Sequence, residues 1–387
     1  MKKPLPHPES NQWAVIRPAA IRRNIAELRR LIPEETALAA VVKSDGYGHG
    51  ILTAARAALD AGARFLVVID VLEAQTLRDD GIDQDIMVVG PIPERHADRV
   101  VGLGLTPCVG GLESARSLDD AAKRQNVVLK THLKVDTGMG RFGFSCRTES
   151  FHAALDELGK LRHLKLDGIA THFSEADAPE SEFTAEQSRL FRLCVRQLTD
   201  RGPRPTWIHA ANSGAIVHFP DTAFSLVRAG IAIYGAHPGP RTSKKPRLEP
   251  AMTLCARVAD IRELPAGSPI SYGRTFTTSR PSRLALLPMG YGHGYPRAAS
   301  GRGACVVIRG KSAPLLGRVT MNLVIADVTD IPKAQIGDVG LFFGHWGADS
   351  LPVETLAEQA GTISYEILCN AGRCTPTTPS GGTRWKT

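Results

Sequence analysis

An α/β fold is expected for this chain: a (β/α)8 TIM-type barrel followed by a second, mostly β C-terminal domain. Three observations point to it. Short apolar runs alternate with longer amphipathic segments from residue 37 to residue 235, as strands and helices taken in turn require. Eight such runs fall within about 200 residues, which suits a closed barrel, with a doubly wound open sheet as the alternative. After Gly235 the texture changes to short β-like runs punctuated by glycine and proline.

In chain order, the candidate barrel strands are Ala37–Val42, Phe65–Ile69, Ile86–Val89, Leu105–Val109, Leu129–Val135, Leu166–Thr171, Thr206–His209 and Leu226–Tyr234. Helical patterns lie between them at Leu112–Lys123, Phe151–Leu161 and Ala185–Leu198. Thr184 and Gln187 have the spacing of a capping box opening the last of these. Residues 1–240 are therefore assigned to the barrel and 241–250 to a linker rich in proline and charge. Residues 251–374 form the β-rich domain, and 375–387 have the composition of a disordered tail. Within the second domain the runs are Thr253–Ile261, Leu284–Pro288, Ala304–Ile308, Asn322–Val328 and Val339–Phe343, with one helix near Pro352–Ala360. Trp13–Arg17 is another strand-like run, and residues 12–18 are free to pair with the second domain.

Bulk properties exclude several classes. The 387 residues are 43% hydrophobic and 22% charged, so a large core needs no disulfide or structural metal. No stretch nears the ~20 apolar residues of a membrane span. The first residues, MKKPLPHPES, lack the apolar run of a signal peptide, so a cytoplasmic location is expected. Seven cysteines without a C-x-x-C pair read as reduced thiols, not as a disulfide framework, and no metal site is expected. The +8 charge is spread along the chain and aromatics are 6%, so the surface reads as solvated and not as nucleic-acid binding. Lys244, Lys245 and Arg247 make the one local basic cluster, inside the linker.

A barrel's active site lies at the C-terminal ends of its strands, and polar groups collect there. Strand one ends at Lys43, strand five runs into Lys134, Asp136 and Arg141, and strand six ends at His172. Strand seven ends at His209 with Asn212 and Ser213 beyond it, and strand eight carries Arg228 and Gly230. Lys43 closes an apolar run and precedes DGYGHG, whose glycines let backbone approach a ligand. A lysine in an apolar mouth has a lowered pKa and attacks carbonyls. Gly138, Gly140 and Gly143 nominally satisfy G-x-G-x-x-G. The next helix begins only near Thr148, too late for the phosphate site of a dinucleotide fold.

Nine segments, in order, resemble the alanine racemases: KSDGYGHG, KVDTGMGR, HF followed by SEFTAEQ, AANSGA, RAGIAIYG, SYGRTF, GYGHGYPR, GRVTMN and ISYEI. The resemblance covers nearly the whole chain, from about Val15 to Ile367. The resemblance implies a cytoplasmic homodimer with shared active sites that uses pyridoxal 5'-phosphate (PLP) to interconvert L- and D-alanine, supplying D-alanine for peptidoglycan. It implies a small-molecule substrate and no nucleic-acid or membrane partner.

By the same resemblance, Lys43 matches the lysine that holds PLP as a Schiff base and serves as one catalytic base. Tyr272 matches the second base, supplied by the partner subunit. Two bases on opposite faces of a planar intermediate are what inversion of a stereocentre requires. A phenol titrates near about 10, so Tyr272 needs positive charge or hydrogen bonds to act near neutrality. His172 and Arg228 match a network with that tyrosine, and Arg228 also matches the arginine on the cofactor's ring nitrogen. Tyr47, Ser213, Tyr365 and the backbone of Gly230 and Ile231 match the phosphate cradle, beside Asn212. Arg141 matches a contact to the cofactor and the substrate carboxylate, and Met321 matches a substrate-binding backbone amide from the partner. Lys134 matches a lysine carbamylated in some members. Asp177, Tyr291, Arg297 and Arg318 match a polar entry corridor.

Two departures bear on substrate breadth. Asn322 stands where the family usually has aspartate, and RCTPT follows Asn370-Ala371-Gly372 where an R-x-P-R-like ending is usual. A serine, lysine or broad-spectrum amino-acid racemase on the same scaffold is therefore the alternative, followed by a non-enzymatic PLP-binding barrel protein. A related decarboxylase would have no need of SYGRTF.

Overall fold

The structure, a computed structural model, describes residues 10–146, 150–239, 246–375 and 377–379. Parts of the expected linker, including Lys244 and Lys245, the helix start near Thr148 and the tail beyond residue 379 lie outside the described residues.

Eight parallel strands form the first unit: Ala37–Val41, Phe65–Val68, Ile86–Val88, Thr106–Val109, Leu129–Asp136, Leu164–Ala170, Trp207–His209 and Leu226–Ala229. Seven parallel ladders connect them, and the eighth strand pairs with the first, so the sheet curls nearly into a closed barrel. Where strands seven and eight meet, single bonds replace a ladder. The Arg228 amide donates to the Ala211 carbonyl (2.9 Å), and the Ile208 amide donates to Ser225 Oγ (2.8 Å). The strands are almost wholly buried because helices cover the outside and side chains fill the inside. Those helices are amphipathic: Leu112–Arg124 buries Ala115, Leu118, Ala121 and Ala122, at helical spacing on one face.

Strand eight is shorter than its apolar run. It stops at Ala229, and Ile231–Tyr234 forms a 3-10 turn instead, because the chain bends sharply at Gly230. The capping box expected at Thr184 is absent. The helix spans Phe183–Thr199, so Thr184 lies inside its first turn. Gln187 is fully buried: its carbonyl oxygen accepts from the Ser174 amide (3.0 Å), and its amide donates to Thr137 Oγ1 and the His172 carbonyl (both 3.2 Å). The barrel interior outbids the helix terminus for that side chain.

The second unit is built on antiparallel sheets. Met252–Arg257 lies between Gln12–Ile16 and Val339–Trp346, so the chain's first strand joins the second unit and not the barrel. The apolar run Thr253–Ile261 divides in two. Met252–Arg257 enters that sheet, while Asp260–Leu264 pairs with Ser282–Leu287 in a smaller one. Thr377–Pro379, read from composition as disordered tail, pairs in parallel with Gln12–Ile16. A helix over Ser364–Cys374, not anticipated from the sequence, follows Val353–Ala360 and packs on the turn after Lys43. Among the described residues no helix is long and apolar enough to cross a membrane.

Candidate active site

The C-terminal ends of the barrel strands enclose a cavity of about 550 Å³. It gathers Lys43 and Tyr47 from strand one, Lys134 and Arg141 from strand five, and His172 from strand six. Asn212 and Ser213 come from strand seven, Arg228, Gly230 and Ile231 from strand eight, and Tyr365 from the unforeseen helix. Tyr272 and Met321 do not line it. They stand 71% and 56% exposed on the second unit, near Tyr291 and Arg318, two of the expected corridor residues. The Gly292 amide donates to the Met321 carbonyl, and the Arg318 guanidinium lies against Gly273.

Lys43 is presented by an unusual turn. Ser44, Asp45, Gly46 and Tyr47 all have φ between 53° and 60°, one turn of left-handed helix. Three of them are not glycine, so the turn stores roughly 3–6 kcal/mol. Asp45 caps it by accepting from the Ile51 amide (2.7 Å), and Glu73 accepts from the Ser44 amide (2.5 Å). Helix Ser364–Cys374 closes on it where Gly48 meets Gly372. A Cβ on Gly372 would fall 1.8 Å from the Gly48 oxygen, so only glycine allows the approach. Burial, and then the nearby Arg141 charge, push the Lys43 amine below its usual range.

Arg228 is fixed from all sides. One terminal nitrogen donates to His209 Nδ1 (2.6 Å) and the His209 carbonyl (3.1 Å). The other donates to the carbonyls of Thr171 (2.8 Å) and Ala210 (3.0 Å) and to His172 Nδ1 (3.2 Å). Guanidinium has no acceptor, so both histidines carry their protons on Nε2. His209 Nε2 then donates to His132 Nδ1 (2.8 Å), making a buried Arg–His–His chain. Burial and the Arg228 charge hold His172 and His209 well below the ordinary imidazole value, and burial puts His132 at about 4, so all three are neutral at pH 7. Burial pushes Arg228 down to about 10, leaving it charged there. Lys134 falls to about 8, through burial and then Arg228.

On the opposite wall, Ser213 Oγ accepts from the amides of Gly230 (2.8 Å) and Ala232 (3.3 Å), which leaves its hydrogen free to donate. A Cβ on Gly230 would lie 2.9 Å from the Tyr47 hydroxyl. The Tyr47 ring packs against Tyr234 and Tyr365 with centroids 4.9 and 5.8 Å apart. The glycines of the nominal dinucleotide motif serve another purpose. The Asp136 carboxylate accepts from the amides of Gly138 (2.8 Å), Met139 (2.9 Å) and Arg141 (3.1 Å), folding the loop that carries Arg141 to the rim.

Among the described residues the cavity wall thus holds four cationic side chains, five hydroxyls and no carboxylate. It suits a small, phosphorylated, carbonyl-bearing ligand. The family profiles "Alanine racemase, N-terminal domain" and "Alanine racemase, C-terminal domain" match residues 16–238 and 251–378. The chain belongs to the alanine racemase family. The alanine racemase of Desulforamulus reducens is 39% identical over 97% of this chain and 99% of its own. The solved alanine racemase of Streptomyces coelicolor A3(2) superposes with a TM-score of 0.91 at 34% identity, covering 96% of this chain and 98% of that one. That of Bartonella henselae, with covalently bound pyridoxal phosphate, gives 0.86 at 27% identity, covering 96% and 99%.

Family membership does not account for every wall residue. Cys108, Phe142 and Cys369 line the cavity, and His132 and Glu73 stand behind it, yet sequence reasoning singled out none of them for the site. His132 had one available signal, an imidazole two residues before Lys134 on an apolar strand, where side chains alternate between faces.

Proposed function

We propose that the protein is a cytoplasmic, homodimeric alanine racemase that uses pyridoxal 5'-phosphate to interconvert L- and D-alanine. The observation that carries the proposal is the cavity's donor set: a buried amine with lowered proton affinity, an arginine held in place by five acceptors, and hydroxyls gathered around Gly230. These residues fit the cofactor. Tyr47, Ser213, Tyr365 and the amide of Ile231 would receive its phosphate, Arg228 its ring nitrogen, and Lys43 its aldehyde carbon. When bound, the cofactor draws electrons from the amino acid's α-carbon and acidifies the C–H bond there.

The protein's own groups then move the proton. Lys43, buried and beside Arg141, holds its amine unprotonated more readily than a surface lysine and takes or returns the proton on one face. Tyr272 stands too exposed to serve the cavity of its own chain, so Tyr272 of the partner subunit would serve the other face. Its turn is built to be held out. Ser271 has φ 61°, and Ser271 Oγ donates to the Arg318 carbonyl (2.7 Å). His172, neutral and with its proton on Nε2, would meet that phenol. Arg228 keeps its charge, so it donates to the ring nitrogen without protonating it, which restrains competing chemistry. Arg141 and the backbone amide of the partner's Met321 would receive the substrate carboxylate.

Lys134 is the site proposed for carbamylation. Its amine adds to carbon dioxide and loses one proton, placing an anion among the cations near Arg141. The assignment of residues 241–250 to a linker between barrel (1–240) and β-rich domain (251–374) is supported by the gap between the two family matches, with Gln12–Ile16 and Thr377–Pro379 belonging to the β-rich side.

The experiment mixes two inactive proteins, Lys43→Ala and Tyr272→Phe, and lets their subunits exchange. A mixed dimer rebuilds one intact site, so about a quarter of wild-type activity per subunit returns. If both residues served their own chain, nothing would return, and the shared-site reading would fall. A wild type that neither absorbs as a PLP protein nor racemises alanine would end the whole proposal.

A further inference from the structure

Glu73 opens a helix but is spent elsewhere. It is the third residue of helix Val71–Asp79, whose N-cap, Asp70, accepts from the amides of Leu72 (2.9 Å) and Glu73 (3.0 Å). A glutamate at this position ordinarily reaches back to the N-cap amide. Here one oxygen takes the amide of Ile69 (2.9 Å), at the end of strand two, and the other takes the amide of Ser44 (2.5 Å), outside the helix altogether. Ser44 is the first residue of the left-handed turn, and its amide belongs to the peptide bond that Lys43 begins.

Two walls of the cavity are therefore tied through one carboxylate, since Lys43 and Ile69 both line it. Glu73 does not line the cavity itself. Four charged or titratable groups act on the Lys43 amine or across from it: Arg141 on the strand-five loop, Cys369 on the last helix, Glu73, and His172 beyond them. Among those acting on Lys43, Glu73 is the carboxylate, and it opposes both burial and Arg141.

We propose that Glu73 is the positioning residue for Lys43: it clamps the left-handed turn to the end of strand two and places a carboxylate beside the turn that carries the amine. This rests on the reading of Lys43 as the cofactor-bearing base. The clamp explains why a strained turn persists at the point where the amine must hold its direction, and a strained turn held in place is a common device at reactive sites.

The test is the pH at which Lys43 is acylated by an amine-reactive reagent, read by peptide mass spectrometry on the full chain after cofactor removal. It is repeated with Cys369→Ser, so that the thiol's titration is not taken for the amine's. Glu73→Gln keeps one acceptor and loses the charge, and is expected to lower the Lys43 midpoint by about half a pH unit or more. The dissociation constant for added PLP should rise roughly tenfold. Glu73→Asp keeps the charge but is too short to span both amides, so PLP affinity should fall by roughly fivefold or more with a smaller change in midpoint. The proposal is overturned if Glu73→Gln shifts the midpoint by less than about 0.2 and PLP affinity by less than about twofold, even with a lowered unfolding temperature. Should Glu73→Gln fail to fold, Glu73→Asp decides alone, and PLP affinity within about twofold of wild type overturns it. A midpoint that moves in a wild-type background that racemises nothing would keep the clamp and discard the racemase reading.

Discussion

Replacing Arg228 by lysine keeps the charge and removes the fork, so it isolates what the guanidinium geometry contributes. Five acceptors converge on Arg228: the Nδ1 atoms of His209 and His172, and the carbonyls of His209, Thr171 and Ala210. The two terminal nitrogens share four hydrogens among these contacts, an ammonium has three, and the His209 carbonyl also accepts the Thr171 amide (3.1 Å), so lysine leaves at least one acceptor bare in a site where Arg228 is only 6% exposed. A buried unpaired acceptor costs about 1–3 kcal/mol. For a chain of this length that lowers the melting temperature by roughly 1–4 °C if it unfolds in one transition. The damage also reaches the chemistry. His172 and His209 owe their tautomers to the arginine's donors, and freeing them loosens the group meant to meet the partner's Tyr272. Turnover should fall by roughly a hundredfold or more, with PLP still bound. Calorimetry, a PLP titration and a coupled D-alanine assay read the three quantities. A variant melting no lower than wild type, with turnover intact, would refute the premise that these buried acceptors depend on the guanidinium fork.

Gly230→Ala should weaken PLP binding by roughly tenfold or more, since its Cβ would sit 2.9 Å from the Tyr47 hydroxyl, and Tyr47 is packed between two other rings. Affinity within about twofold of wild type would show that Tyr47 has room to yield. Lys134 titrates near 8 in the fold against an ordinary 10.5, so its charged form is penalised by folding. That penalty, about 3 kcal/mol in order of magnitude, applies in full below pH 8 and fades as pH rises to 10.5. Lys134→Met should therefore be the more stable protein at pH 7 in buffer free of carbon dioxide, by urea melts, with the gain vanishing toward pH 10.5. Bicarbonate should shrink or reverse the gain by converting wild-type Lys134 to an anion, and no response to bicarbonate would sink the carbamate.

The barrel was legible because its signal is local. An apolar run bounded by turn residues reads as a buried strand wherever it sits, and Lys43, Arg141, His172 and Arg228 could be placed on one rim by counting strands. Local rules give way where a partner or a close approach comes from another element. Gln187 has capping-box spacing, yet the buried groups of strands five and six claim its amide. Glu73 has the place of a helix-opening glutamate, yet half of its carboxylate serves a turn 29 residues earlier in the chain. Leu226–Tyr234 is apolar apart from Arg228, yet its strand stops at Ala229, before Gly230 brings the backbone close to the Tyr47 hydroxyl. In each case the local rule loses near the cavity, where strained backbone and buried polar atoms make one well-placed acceptor worth more than a helix cap. Departures from local expectation therefore mark the site as clearly as the motifs do. Glu73 carries no motif, and the same departure singles it out.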